Sequence, residues 1–458
     1  MTSTPQPPPV HDLVGIGFGP SNVALAIGLL EQRRRAAADP ALPALTGVFH
    51  ERQPEFGWHR GMLLDDATMQ VSFLKDLVTT RNPASDFGFL SYLHSVGRLH
   101  DFINHKTLFP LRTEFHAYLA WCAGRVADQV RYSSEVVGVE PVRDASGRIS
   151  QLDVVARAPD GSRHRSRGRN IVFAPGLTPR LPEGARLSER VWHNEYLLQS
   201  LERIGPGARP RGFVVVGAGQ SAAEVVDHLY RRFPGAQVHA VFSRFGYSPS
   251  DDSPFANRIF DPDAVDAFYG ASAETKAGIM DYHRNTNYSV VDPDLIDTLY
   301  QAAYQDKVKG TERLRFHNTS RVAGVSEEPG HVTVTVEDLA SGKQTPVTAD
   351  YLVYATGYRP GDPRDLLGDL AGHVVCDARG RCAVQRDYRL ATSDEITCGI
   401  YLQGGTEHTH GISSSLLSNV AVRVGEILDA ISARTGEPGE AAAGAPVPAA
   451  AAAEAAAR

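Results

Sequence analysis

Two glycine-rich turns carry the residues best suited to chemistry, one near the start of the chain and one near its middle. They read Gly17-Phe18-Gly19-Pro20-Ser21-Asn22 and Gly217-Ala218-Gly219-Gln220-Ser221-Ala222. A G-x-G turn between a buried strand and a helix lets backbone N–H groups at the helix start meet a pyrophosphate. Gly17 and Gly217 allow the turn, and Gly19 and Gly219 let the backbone approach the phosphate. In the first copy Asn22 replaces the usual third small residue, so a plain turn competes with the binding reading. In the second copy Ala222 completes G-x-G-x-x-A, and Gln220 and Ser221 open the helix.

The strand that follows each turn ends in a different charge. Glu51 closes the segment 46–51, where an acid holds the ribose hydroxyls of an adenosine half. Arg244 follows the strand 238–242, where an acid would mark NAD and a base suits the 2′-phosphate of NADP. Two such folds imply two dinucleotides, and a flavin with a nicotinamide is the economical pair because hydride passes from one ring to the other. Segment 350–360 reads as a buried strand ending in Thr356-Gly357-Tyr358, the return between the two folds. His408 and His410 lack a third partner, so no metal site is expected.

These residues need strand–turn–helix units to hold them. The apolar runs at 13–16, 170–176, 213–216 and 350–354 read as strands buried on both faces, as in a parallel sheet. Residues 110–121 read as a helix with Thr113 as N-cap, and a helix from Ser414 onward would aim its first N–H groups at a cofactor. Residues 69–77 lack either periodicity, and a lone lysine there is ordinarily solvated. The expected class is α/β, with two Rossmann-like dinucleotide-binding domains and a small, mainly helical insertion. The boundaries expected are 11–190 and 351–434 for the first domain, 191–250 and 309–350 for the second, 251–308 for the insertion, and 435–458 for a disordered Ala/Pro-rich tail.

Composition narrows the partners. The chain has 458 residues, 22% charged, with a net charge of −7. With no basic run beyond Arg33-Arg34-Arg35, nucleic acid is not an expected partner. No apolar stretch is long enough to span a membrane, and residues 1–10 lack the pattern of a secretory signal. Cys122, Cys376, Cys382 and Cys398 show neither C-x-x-C nor metal-ligand spacing, which reads as reduced thiols in a cytoplasm.

The motifs GFGPSN, GWHRGMLL, MQVSFLKDL, RNPASDFGFLSYLH, GAGQSAAE, PFANRIF, NTNYSVVD, ATGY and HTHGISSSLLSN together resemble the microbial N-hydroxylating flavoprotein monooxygenases, in particular the L-ornithine N-monooxygenases. The resemblance spans residues 11–434. It implies FAD in the first fold, NADPH in the second, and L-ornithine and molecular oxygen as substrates. It also implies a C4a-hydroperoxyflavin as the oxidant, so no catalytic side chain is expected. Lys75, Asn257, Asn287 and Ser418 match substrate contacts. Trp58, His59, Met69, Gln70, Arg112, Ser415 and Leu416 match the flavin side, with Gly17, Gly19, Pro20, Asn22 and Glu51. Gly217, Gly219, Gln220, Ser221 and Arg244 match the NADPH side. The product, hydroxyornithine, would supply a siderophore or nonribosomal peptide. A homo-oligomer, commonly a tetramer, is also implied. The alternatives are an N-hydroxylase of lysine or a related amine, or a Baeyer–Villiger or sulfoxidising monooxygenase. The chain lacks the F-x-G-x-x-x-H-x-x-x-W of that last class.

Overall fold

The computed structural model describes residues 9–435 except 284, 285, 287 and 288, so the expected tail lies outside the described residues apart from its first position. Two five-stranded sheets organise the chain. The first runs Gly399–Leu402, Asn170–Phe173, Leu13–Ile16, Gly47–His50, Val130–Arg131 in spatial order. The second runs Val191–His193, Tyr351–Tyr354, Gly212–Val216, Gln237–Val241, Leu314–His317. Every pairing within both sheets is parallel. Helices cover one face of each sheet and an antiparallel meander covers the other, and this is why Leu13, Val14, Phe213, Val214 and Val215 are all fully buried.

The two sheets repeat one plan. In each, a glycine turn leads from the central strand into a helix, Pro20–Ala38 in the first and Gln220–Arg232 in the second. In each, a three-stranded antiparallel meander precedes the strand on the other side of the central one. These meanders are Glu135–Arg143, Ile149–Arg157 and Arg163–Gly168, and then Ser320–Glu328, His331–Asp338 and Gln344–Ala349. In each, helices are inserted between the next two strands that follow the central one. The first set includes Phe89–Ser95, Leu99–His105 and Arg112–Arg125, and the second Pro262–Gly270, Ala273–Tyr282 and Pro293–Lys309.

Four expectations are corrected. Tyr351–Tyr354 pairs with Gly212–Val216 in the second sheet, so the second fold extends past the expected boundary at 350. The helix Pro293–Lys309 was expected in the small insertion. Its Leu295, Ile296 and Leu299 instead pack into the core around Val226 and Leu229, which makes it a layer of the second fold. The helix Arg112–Arg125 starts after Leu111 with no side-chain cap, and Thr113 lies within its first turn. The last helix is Val420–Thr435, preceded by the 3-10 turns Ile412–Ser415 and Leu417–Asn419. Serines disfavour helix continuation by bonding their own backbone, as Ser414 Oγ does in donating to Gly411 O at 2.8 Å.

The C-terminal helix closes the first fold. It lies along Pro20–Ala38, where a Cβ on Gly28 would stand 2.5 Å from Leu428. Gln32 Nε2 donates to Ser432 Oγ across the same contact at 2.9 Å.

Both folds bury neutral imidazoles. His50 sits between Ser134 Oγ and Ser166 Oγ at 2.8 and 3.0 Å, and burial lowers its pKa from 6.5 to about 3. His239 meets His317 at 2.9 Å, and burial lowers its pKa to about 4. Both values lie below those of the unfolded chain, so the stability of these neutral rings is complete above pH 6.5 and lost as pH falls toward 4 and then 3. Thermal melts should therefore show Tm falling through this window at a slope of up to about 1.4 kcal/mol per pH unit per group. His50→Gln should make that fall shallower; an unchanged slope would remove His50 as a contributor.

Candidate active site

The two folds and the insertion enclose one continuous cavity of about 3750 Å³. Gly17 and Gly217 both line it. Gly17 has φ +83° and Gly217 φ +149°, and a Cβ on either would stand 2.3 Å from a carbonyl oxygen, of Ala174 and Ala355 respectively. Only glycine permits that crossing of strand ends. Both helices begin at the cavity, after Gly19 and Gly219, with no side-chain cap. Their first-turn N–H groups are thus left for a ligand, as a pyrophosphate requires. Nothing lies within 4 Å of the position a Cβ on Gly19 would take. Pro20 and Ser221 line the same cavity.

Asn22 is corrected from wall to strut. It is fully buried and does not face the cavity. Its Nδ2 donates to Gly17 O at 2.7 Å, and its Oδ1 accepts from Gln403 Nε2 at 2.9 Å. Behind them lies Arg423, 1% exposed, which donates to Ser414 O and to Ser21 Oγ. A buried guanidinium under a helix start adds positive potential where a pyrophosphate would sit. Sequence reading missed Arg423, whose partner Ser21 lies at the other end of the chain. Glu51 accepts the Phe18 N–H at 2.7 Å and the Gln53 N–H at 2.9 Å, which fixes its carboxylate on the cavity wall.

Arg112 faces the middle of the cavity, and its partner comes from the other fold. Its two terminal nitrogens meet Glu224 Oε1 and Oε2 at 2.7 and 2.8 Å, a two-pronged pair with side chains 11% and 6% exposed. Arg112 also donates to Met62 O at 3.0 Å. Gln220 Nε2 donates to Glu224 Oε1 at 3.0 Å, and its Oε1 accepts the Asp292 N–H at 2.8 Å. Gln220 thus lines the cavity with both ends of its amide engaged. Glu224 is a second residue that sequence reading missed.

Trp58, His59, Met69 and Gln70 line the wall beside Arg112. His59 takes a left-handed φ of +50°. Burial and then the Arg112 charge lower its pKa to about 4, so the ring is neutral near pH 7. Lys75 follows on an irregular loop held by Met69 N–H to Pro110 O and Phe73 N–H to Leu108 O, at 2.8 and 2.9 Å. Asp76, 2% exposed, anchors that loop by accepting the N–H groups of Val78, Thr79 and Phe89. Lys75 itself lines the cavity, its Nζ 5.8 Å from the Phe260 ring centroid, and no carboxylate pairs with it among the described residues.

Asn257 lines the cavity too; its Nδ2 donates to Asp252 O, which leaves Oδ1 free to accept. Leu416 and Ser418 complete this end, and the Ser418 hydroxyl is buried without a partner among the described residues. Asn287 and the Ser415 side chain lie outside the described residues. Leu416 is extended between two 3-10 turns, not at the start of a helix as expected. At the far end Arg244 donates to Ser289 O at 2.7 Å and Ser248 Oγ at 3.2 Å. His408 and His410 spend Nε2 on the carbonyls of Cys382 and Arg386. Among the described residues no group of His, Cys, Asp and Glu could hold a metal ion.

Removing one member of a buried, bidentate pair strands the other charge. Glu224→Ala should therefore cost about 3–5 kcal/mol, read as a lowered Tm and denaturation midpoint. Glu224→Gln, which keeps one hydrogen bond, should cost less; equal stability of the parent and both variants would show that the two folds do not depend on this pair.

Residues 9–360 match the family model described as L-lysine 6-monooxygenase/L-ornithine 5-monooxygenase. An L-ornithine N(5)-monooxygenase of Burkholderia cepacia is 43% identical over 88% of this chain and 90% of its own. One from Pseudomonas aeruginosa is 39% identical over 93% and 95%. A solved structure of the Kutzneria sp. 744 ornithine N-hydroxylase with reduced FAD, NADP+ and L-ornithine superposes with a TM-score of 0.88 at 48% identity, covering 93% of this chain and 100% of that one. The L-lysine 6-monooxygenase from Pseudomonas syringae gives 0.80 at 31%, covering 93% and 99%. The chain belongs to the L-lysine 6-monooxygenase/L-ornithine 5-monooxygenase family.

Proposed function

We propose that the protein is an FAD- and NADPH-dependent monooxygenase that hydroxylates the side-chain amine of L-ornithine. The carrying observation is a lysine, Lys75, with no carboxylate partner among the described residues, in the same cavity as two uncapped helix starts. FAD held at the first helix start would supply the hydride acceptor and oxygen-activating chemistry, with NADPH as the hydride source at the second. The chain's own residues position and shield. The Lys75 ammonium binds the substrate carboxylate, and Asn257 Oδ1 accepts from the α-ammonium. The unpartnered Ser418 hydroxyl supplies one further contact. A free alkylammonium has a pKa of about 10.4, and only its neutral form carries the lone pair that attacks oxygen. Burial beside the flavin face favours that form.

The remaining assignments follow the same reading. Glu51, Trp58, His59, Met69, Gln70 and Leu416 lie against FAD, and Ser221 and Arg244 hold NADPH. Asn287 and Ser415 keep the substrate and flavin contacts that the resemblance implies. The product, hydroxyornithine, feeds a siderophore or nonribosomal peptide. The protein works in the cytoplasm, and no helix among the described residues is long and apolar enough to cross a membrane. It assembles with copies of itself, as a tetramer. Tyr300, Tyr304 and Val308, exposed by 73%, 63% and 69% along one helix, offer an apolar strip for that contact. Light scattering in solution measures the assembly.

Two outcomes test the chemistry. Lys75→Ala removes a charge-assisted contact worth roughly 1.5–3 kcal/mol, or about 10- to 150-fold in kcat/KM for ornithine. NADPH oxidation should continue with peroxide replacing hydroxylated product. Lysine, one methylene longer from the same anchor, should be hydroxylated about a hundredfold less well. Assays of hydroxylamine and peroxide for both amino acids decide this; unchanged ornithine kinetics would remove Lys75 from the site, and lysine hydroxylated as well as ornithine would make this a lysine enzyme.

Arg244 carries the cofactor preference. Flavin reduction should be faster with NADPH than with NADH, and Arg244→Ala should shrink that ratio by slowing the NADPH reaction alone. Equal rates in the parent enzyme would contradict the assignment.

A further inference from the structure

The amine chemistry uses none of the four cysteines, and the fold sets two of them face to face. Cys376 and Cys382 are directly opposed across an antiparallel bridge. The flanking bonds run from Asp377 N–H to Arg381 O and from Ala383 N–H to Val375 O, at 2.9 and 2.8 Å. The cysteines are therefore a non-hydrogen-bonded pair, the closer of the two kinds, with Cα atoms about 4.5 Å apart and side chains on one face. That separation falls inside the range a disulfide spans, about 4.4–6.8 Å. Both are free thiols, with the sulfurs within hydrogen-bonding reach of each other, and both line the large cavity.

We propose that Cys376 and Cys382 form a peroxide-responsive thiol pair that closes to a disulfide in the cavity wall. The two sulfurs have different roles. Cys376 is exposed, and Arg364 Nη1 stands 3.5 Å from its Sγ, although that guanidinium is shared with the Asp362 carboxylate. A nearby cation and solvent access are what make a cysteine the first to react. Cys382 is buried, and burial raises its pKa to about 11, so it stays protonated and waits. The Cys376 sulfur attacks one peroxide oxygen, the O–O bond breaks, and water leaves a sulfenic acid behind. The Cys382 sulfur then attacks the Cys376 sulfur, the S–O bond breaks, and a second water carries off the Cys382 proton. Two thiols lose two hydrogens, and one peroxide becomes two waters. An oxygen-activating enzyme that releases peroxide when uncoupled would meet this oxidant in its own cavity.

The test uses the FAD-loaded enzyme, reduced, freed of reductant and treated with hydrogen peroxide at a few equivalents. Intact mass should fall by two hydrogen atoms, and dithiothreitol should restore it. Peptide mapping without reductant should link Cys376 to Cys382. Buried Cys122 and Cys398 should remain alkylatable after unfolding, as internal controls. Cys376→Ser, at an exposed position, should abolish the mass loss. Cys382→Ser should carry Cys376 on to sulfinic acid for want of a partner. The proposal is overturned if the parent enzyme accumulates sulfinic acid at Cys376 with Cys382 still a thiol. It is overturned equally if both stay alkylatable, or if Cys376→Ser still loses the two hydrogens.

Discussion

Two carbonyl oxygens and two glycines hold this molecule in its working shape. At Gly17 and at Gly217 a strand end passes so close to the neighbouring strand's exit that no Cβ fits beneath Ala174 O or Ala355 O. The backbone amides reinforce each crossing: Gly17 N–H donates to His50 O, and Gly217 N–H to Val241 O, at 2.8 and 3.1 Å. Because the crossing is tight, the following helix starts at the mouth of the sheet with its first N–H groups unspent. Every other feature of the site takes its place from those two origins. Asn22, Gln403 and Arg423 brace the first from behind, and Gln220 ties the second to the segment that carries Asp292.

Between the origins lies the Arg112–Glu224 pair. It is costly to desolvate and gains little net stability over an apolar contact of the same shape. What it contributes is geometry: a two-pronged bond fixes both distance and orientation between the folds, where a flat apolar patch would permit sliding. The same guanidinium faces the cavity and adds to the burial that keeps His59 neutral. Docking of the folds and the electrostatics of the site are thus set by one side chain.

Local features of this protein were legible in the sequence, and features made at a distance were not. The glycine turns, Glu51 and Arg244 could be read because strand, turn and charge follow one another within a few residues. The resemblance, not periodicity, singled out Lys75, since its loop is held by backbone bonds to residues 108–110 that no pattern announces. Arg423 went unread because a single arginine in an apolar helix is no signal until Ser21 and Ser414 are seen around it. The helix Pro293–Lys309 was assigned to the insertion because composition changes near it, while its membership is decided by where Leu299 packs. Thr113 had the right chemistry for a cap, but the cap position falls two residues earlier, at Leu111.

The order of strands along the chain has a consequence for how the molecule is made. The first sheet holds Leu13–Ile16 and Asn170–Phe173 early, but its edge strand is Gly399–Leu402 and its covering helix is Val420–Thr435. All five strands of the second sheet lie between those points. On the ribosome, the second fold has its full complement of strands while the first is still open on one side. The nascent first fold therefore waits with the Asn170–Phe173 edge unpaired and the Gly28 face of its first helix uncovered, closing only when Gly399–Leu402 and Val420–Thr435 emerge.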